Sequence, residues 1–254
     1  MKIGIISGHK MPDLIKSPEK IMIETAFGDI SVEVSKHGKN EIFFINRHGE
    51  KSNLPPHKVN YLANIQAFSS IHVECILSLG TVGSMKKNIQ PGAFVIPHDF
   101  IDFTKSRKQT FFDDERIHID MTNPFCLSLR DLLIESCGNV KGVKIHENGV
   151  YLTTEGPRLE TASEINFFSN VADVVGMTAV PEIVLAREKG MCYASICIVC
   201  NMATGLQNRL SADEISSIYK KNEPIVSKIL QRTIDSIDKK RSCNCKNDLS
   251  KATL

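Results

Sequence analysis

The stretch MCYASICIVCNMATG, residues 191–205, is apolar from Met191 to Cys200 apart from Ser195 and then meets Asn201. A run that is apolar at every position, rather than at alternate ones, marks a strand covered on both faces, the habit of sheets in α/β proteins. It is far short of the ~20 apolar residues a membrane helix needs. The strand ends on a carboxamide, with Gly205 soon after, and ligands of open α/β sheets bind at such ends.

Working outward, strand-like runs cover 2–6, 21–26, 30–34, 41–46, 73–79, 149–153, 172–176 and 191–200. Helix-like runs fill the gaps at 57–68, 161–168 and 180–189. The last helix is the clearest: Ser211 and Glu214 form a capping box, and Ile215, Ile218, Ile225, Ile229 and Ile237 make an apolar stripe that reads as core. Alternation of the two patterns predicts an α/β fold. No repeat or linker divides the chain, so residues 1–238 are expected to form one domain, followed by a polar tail, 239–254, expected to be mobile.

Composition narrows the classes. The 254 residues are 42% hydrophobic with a net charge of +2, a globular balance without the basic footprint of a nucleic-acid binder. The opening MKIGII reads as a strand, with no export signal behind it, and neither membrane nor nucleic acid is an expected partner. Of the eight cysteines, six (75, 126, 137, 192, 197, 200) sit without framework spacing, as reduced buried thiols of a cytoplasmic protein do. Cys243 and Cys245 lie in the polar tail and read as free thiols, the sharper alternative being a redox or stapling pair. No metal is expected, because a second ligand pair at zinc spacing is missing. The P-loop, dinucleotide, zinc-protease and hydrolase-elbow patterns are all absent.

What the chain does carry is a set of polar strand ends: Ser7, Gly8 and His9; Arg47 and His48; Gly80, Thr81 and Gly83; Met177 and Thr178; and Asn201. Arg47 offers a fork for an oxyanion. Glycine-flanked backbone at Gly8 and 80–83 can turn N–H groups toward the same ion. Thr178 adds a hydroxyl at a helix start, where the dipole favours negative charge. The set points to phosphate.

The stretches RHGE…PPHKVNYLANIQA, GTVGSMKKNIQPG, HIDMTNPFC, TTEGPRLETASE, MTAVPEIVLAREKGMCYASI and NMATG, spread over nearly the whole chain, resemble the trimeric purine nucleoside phosphorylases, in their methylthioadenosine phosphorylase-like branch. The resemblance implies a mixed central sheet, partly closed and barrel-like, flanked by helices. It implies cleavage of a nucleoside's glycosidic bond by phosphate, a co-substrate, with no cofactor, in purine salvage. It places phosphate on Ser7, Gly8, His9, Arg47, His48, Gly80, Thr81 and Thr178, the ribose on Met177, and the base among Leu159, Glu160, Asn201, Met202 and Ala203. Arg47, His48 and Asn201 are the candidates for carrying the chemistry. His118 resembles a histidine lent by a neighbouring subunit, which implies a homotrimer or a dimer of trimers.

Relatives that use 6-aminopurines tend to carry aspartates where this chain has Asn201 and Ala203. An amide can donate to O6 or accept from N7–H of a 6-oxopurine, and Glu160 can accept from its N1–H, which adenine lacks. The expected substrates are therefore 5′-methylthioinosine, inosine or guanosine. At the start of the last helix, Ala212 and Ser216 stand where relatives have an aliphatic pair, which leaves the 5′ substituent open. The first loop reads Ser7-Gly8-His9-Lys10 where the family usually has Gly-Gly-Thr-Gly. A methylthioadenosine phosphorylase, a nucleoside hydrolase and a non-catalytic nucleoside binder are the alternatives.

Overall fold

A computed structural model describes residues 1–208, 211–240 and 242–252. Its strands are β1 (Lys2–Ser7), β2 (Glu19–Ile23), β3 (Ile30–His37), β4 (Asn40–Asn46), β5 (Cys75–Ser84), β6 (Phe94–Val95), β7 (Asp99–Phe103), β8 (Ile145–His146), β9 (Val150–Thr154), β10 (Val174–Gly176) and β11 (Cys192–Met202). The helices are α1 (Tyr61–Ser70), α2 (Leu127–Gly138), α3 (Ala162–Phe168), α4 (Ala179–Glu188) and α5 (Ala212–Lys240). All the strands join one mixed sheet, whose longest path runs β2-β3-β4-β1-β5-β10-β9-β7.

The sheet forks at β5. One edge of β5 is taken by β11 along its whole length, from Cys75 to Ser84. The other edge pairs with β1, in parallel, only as far as Leu79. It then pairs with β10, antiparallel, from Gly83. Over 80–82 that edge has no strand beside it, so its backbone groups face the gap between the diverging branches.

Burial on both faces explains why the central strands are apolar throughout. On one face Ile3, Ile5, Cys75, Leu77, Ile196 and Ile198 pack under α2 and α5 with Leu129, Leu133, Val226 and Ile229. On the other, Ile6, Ile45, Ile76 and Tyr193 pack under α1 and α4 with Ile65, Phe68, Ile183 and Ala186. Removal of this apolar area from water is the main term holding the layers together. Among the described residues no helix is long and apolar enough to cross a membrane.

Several expectations need correction. The strand expected to end at 79 runs on: β5 continues through 80–83 to Ser84, and neither Gly80 nor Gly83 has a positive φ. Thr178 is the N-cap of α4 as expected, but the helix is broken at Val180, whose backbone is extended (φ −109°, ψ 133°), so regular helix begins beyond Val180. The tail is docked rather than loose over 242–252. Ser242 N–H donates to Ser128 Oγ, Arg187 pairs with Asp248, and the Ala252 carbonyl accepts from His118 N–H. Residues 241, 253 and 254 of that tail lie outside the described residues.

Candidate active site

A cavity opens in the fork of the sheet. Its walls are Gly8 and His9 after β1, Arg47 and His48 after β4, Leu79–Gly83 of β5, Val175–Thr178 at the end of β10, and Asn201, Ala203 and Thr204 at the end of β11. Leu159 and Glu160, Pro56 and Ile215 complete it. Strand ends from both branches thus converge on one volume, as expected for a switch point in an α/β sheet.

Arg47 is buried, and its fork is not empty. Nε and Nη2 donate to the two carboxylate oxygens of Glu182 at 2.7 and 2.9 Å. Nη2 also donates to Ser78 Oγ at 2.8 Å, and Nη1 donates to the Leu79 carbonyl at 3.0 Å. Glu182, wholly buried, accepts further bonds from Ser78 Oγ and Tyr193 Oη. An arginine has five N–H groups, so Nη1 keeps one hydrogen for the cavity, and the bidentate edge expected for an oxyanion is turned to the protein. Burial by itself would lower the Arg47 pKa, but the Glu182 carboxylate outweighs it and holds it above its ordinary value. Burial and Glu182 likewise keep the Tyr193 phenol protonated, as a donor. The positive end of α4 is addressed by Glu182 in its first turn. Thr178, ahead of the break, has no capping bond from its side chain and faces the cavity.

The two histidines meet at the same end. His48 Nδ1 lies 2.7 Å from the Leu54 carbonyl. A carbonyl only accepts, so Nδ1 carries the proton and neutral His48 turns an acceptor Nε2 toward Gly8. A Cβ on Gly8 would lie 2.8 Å from the His48 ring, so close approach is why glycine stands there. His9 stacks on Tyr219 with ring centroids 4.0 Å apart. Burial first, then the charge of Arg47, holds the His48 pKa below the ordinary histidine value. For His9 the causes are burial, His48 and Arg47.

The opposite end is set by two local devices. A capping box between Thr161 and Glu164 starts α3 and fixes the chain just after Glu160. Glu160 Oε1 accepts from Thr154 Oγ1 at 2.6 Å. In β11 a bulge falls between Val199, opposite Val82, and Asn201, opposite Gly83. The extra residue bends the strand and re-aims the side chains beyond it. The Asn201 amide lies over Gly83, where a Cβ would come within 2.9 Å of its Nδ2. Nδ2 donates to the Met202 carbonyl at 2.9 Å. Glu160 and Asn201 are each 8% exposed, enough to reach a ligand in the cavity they both line.

The phosphorylase superfamily model matches residues 2–235. The chain belongs to that superfamily. A probable 6-oxopurine nucleoside phosphorylase of Dictyoglomus turgidum is 44% identical, with 98% of this chain and 97% of that protein covered. A probable S-methyl-5′-thioinosine phosphorylase of Methanocaldococcus jannaschii is 42% identical, with 99% of each covered. Among solved structures, a methylthioadenosine phosphorylase from Schistosoma mansoni in complex with adenine is 28% identical, with a TM-score of 0.94 over 100% of this chain and 99% of that one. This protein is accordingly a purine nucleoside phosphorylase of the methylthioadenosine and methylthioinosine phosphorylase-like branch.

Some of the expected site residues of the phosphorylase stand outside the cavity wall. Ser7 is fully buried, and its Oγ accepts from His9 N–H, so it shapes the loop. Met202 gives its N–H to Gln207. Ala212 and Ser216 do not line the cavity; Ile215 between them does. His118 does not line it either. Reasoning from sequence missed Glu182, whose one signal was an acid set among the apolar residues of a helix's first two turns, and Ile215, which was absorbed into the core stripe. Among the described residues the cavity wall holds no metal-ligand cluster. The group of such residues found among those described is Cys126, Cys192, Cys243 and Cys245, none of which lines the cavity.

Proposed function

We propose that the protein is a 6-oxopurine nucleoside phosphorylase whose preferred substrate is 5′-methylthioinosine, ahead of inosine and guanosine. The observation that carries this reading is that Glu160 and Asn201 line the same cavity. The carboxylate accepts from the N1–H of a 6-oxopurine, while the carboxamide serves the O6 and N7 edge. Adenine presents a lone pair at N1, which a carboxylate repels. A site built for one hydrogen-bond pattern rejects the mismatched one by as much as ~10⁴–10⁵. Ile215 on the wall supports the methylthio group at the 5′ end, since an aliphatic neighbour favours a thioether methyl over a hydroxyl.

Phosphate, the co-substrate, sits at the Arg47 end. The spare Nη1 hydrogen, the Thr178 hydroxyl and the unpaired backbone over 80–82 bind its oxygens, and neutral His48 accepts from a P–OH group. Phosphate then attacks C1′ as the bond to the purine breaks. The sugar passes through an oxocarbenium-like state that the neighbouring anion stabilises. Electrons from the broken bond enter the purine, and a donor near N7 or O6 lowers the barrier. The sugar 1-phosphate and the free base result, with no covalent enzyme intermediate. His118 completes the 5′ end of a neighbouring copy in a homotrimer.

The test is a panel of methylthioinosine, inosine, guanosine and methylthioadenosine, each with and without phosphate. Hypoxanthine released from methylthioinosine fastest, and only with phosphate, is the expected result. Faster turnover of methylthioadenosine would sink the reading of the base edge. Equal release without phosphate would make the protein a hydrolase.

A further inference from the structure

Four cysteines distant in sequence meet at the far side of the molecule. Cys126 stands at the N-cap of α2, Cys192 opens β11, and Cys243 and Cys245 come from the docked tail. Their Sγ atoms all lie within 4.8 Å of one another, and those of Cys192 and Cys243 are 3.1 Å apart. A tetrahedral zinc tetrathiolate, with bonds of about 2.3 Å, has its sulfurs about 3.8 Å apart. That separation falls between the two observed values. The spacing is too tight for an iron–sulfur cluster, whose thiolates spread over several irons.

The surroundings suit a metal. All four thiols are free, and three of them are buried. An open cleft reaches the group past Asp120 and Asp131, carboxylates that draw in a cation. Arg187 lines the same cleft, is 6% exposed, and has a buried Nε without a partner. A divalent ion held by four thiolates carries two net negative charges; this guanidinium, which also pairs with Asp248, offsets part of that charge. Cys126 adds the positive end of α2, which has no side-chain cap.

We propose that Cys126, Cys192, Cys243 and Cys245 form a structural site for a single zinc-type divalent cation. Four thiols release four protons to solvent and four sulfur–metal bonds form; no oxidation occurs. Four protein ligands leave no open position, so the ion fastens and does not catalyse. What it fastens is the tail, whose Ala252 carbonyl receives the His118 N–H. The second ligand pair that Cys243 and Cys245 lack in sequence is supplied by the fold.

The experiment titrates the reduced full-length protein with Co²⁺ and then Zn²⁺. One Co²⁺ per chain is expected, with intense thiolate-to-cobalt absorption and tetrahedral bands that Zn²⁺ abolishes, and with a rise in melting temperature that a chelator reverses. Cys245→Ser, in the tail and remote from the sheet core, should lose the stoichiometric charge-transfer band. Cys137→Ser, a buried thiol outside the group, should keep it. No charge-transfer band in the reduced wild-type chain would overturn the proposal. So would an undiminished band in Cys245→Ser, or a mass deficit matching two disulfides in protein kept under thiol reductant.

Discussion

At one end of the cavity Arg47, 3% exposed, is tied by hydrogen bonds to Glu182, Ser78 and the Leu79 carbonyl, and Glu182 is tied again to Tyr193. At the other end Glu160 has Thr154, Asn201 has the Met202 carbonyl, and Leu159 stands 48% exposed at the rim. The first end is part of the core and shares its rigidity; the second is a lining that side chains can change without disturbing the sheet. A fold built this way can keep one co-substrate and exchange the other. Relatives of 41–44% identity bearing names for both 6-oxopurine and 6-aminopurine nucleosides fit such a division.

The comparison can be broken at either end. The largest effect is expected at Glu182. Glu182→Met leaves Arg47 as a buried unpaired cation, and chemical denaturation should show a loss of about 3–5 kcal/mol. A change under about 1 kcal/mol would mean that this end is not the rigid one. Next comes the base edge. Asn201→Asp with Ala203→Asp should lower kcat/KM for methylthioinosine by about 10²–10³ and raise it for methylthioadenosine, with stability affected less than by Glu182→Met. At Ile215, replacement by Ser should narrow the preference for a 5′-methylthio over a 5′-hydroxyl group by about 10-fold, read from paired kcat/KM values.

The smallest effect is on pH. His9 and His48 have lowered pKa values in the free protein. The unfolded chain therefore binds more protons just below the ordinary histidine value, and the free protein loses stability as pH falls through that window. A bound dianion favours the protonated rings and opposes the loss. Sulfate, a dianion throughout, should bind several-fold tighter at about pH 5.5 than at about pH 8, and His9→Asn should flatten the trend. Calorimetry of sulfate binding reads this without the titration of phosphate itself.

The strands that carry the cavity were legible because burial on both faces leaves runs with few polar interruptions, as in β1, β4 and β11. Less legible was α2, whose Leu129, Leu132 and Leu133 have helical spacing but whose start at Cys126 offers no ordinary cap. The two-residue strands β6 and β8 are too short for any period to show. The strand over 73–79 reads as ending there because glycines follow it; at Gly83 the glycine marks instead the closeness of Asn201. The partnership of Arg47 with Glu182 spans 135 residues, and no local pattern announces it. The cysteine group escaped for the same reason: rules of spacing see pairs close in sequence, and the fold brings together pairs that are not.

The carboxylate beneath Arg47 bears on how turnover ends. With its one buried cation at that end already compensated, the cavity holds an anion by shape and directed N–H groups more than by net attraction. In the proposed reaction one of the two products to leave is a sugar phosphate dianion. A naked guanidinium in so dry a setting would grip that product and stall the cycle, whereas a neutralised one lets it depart.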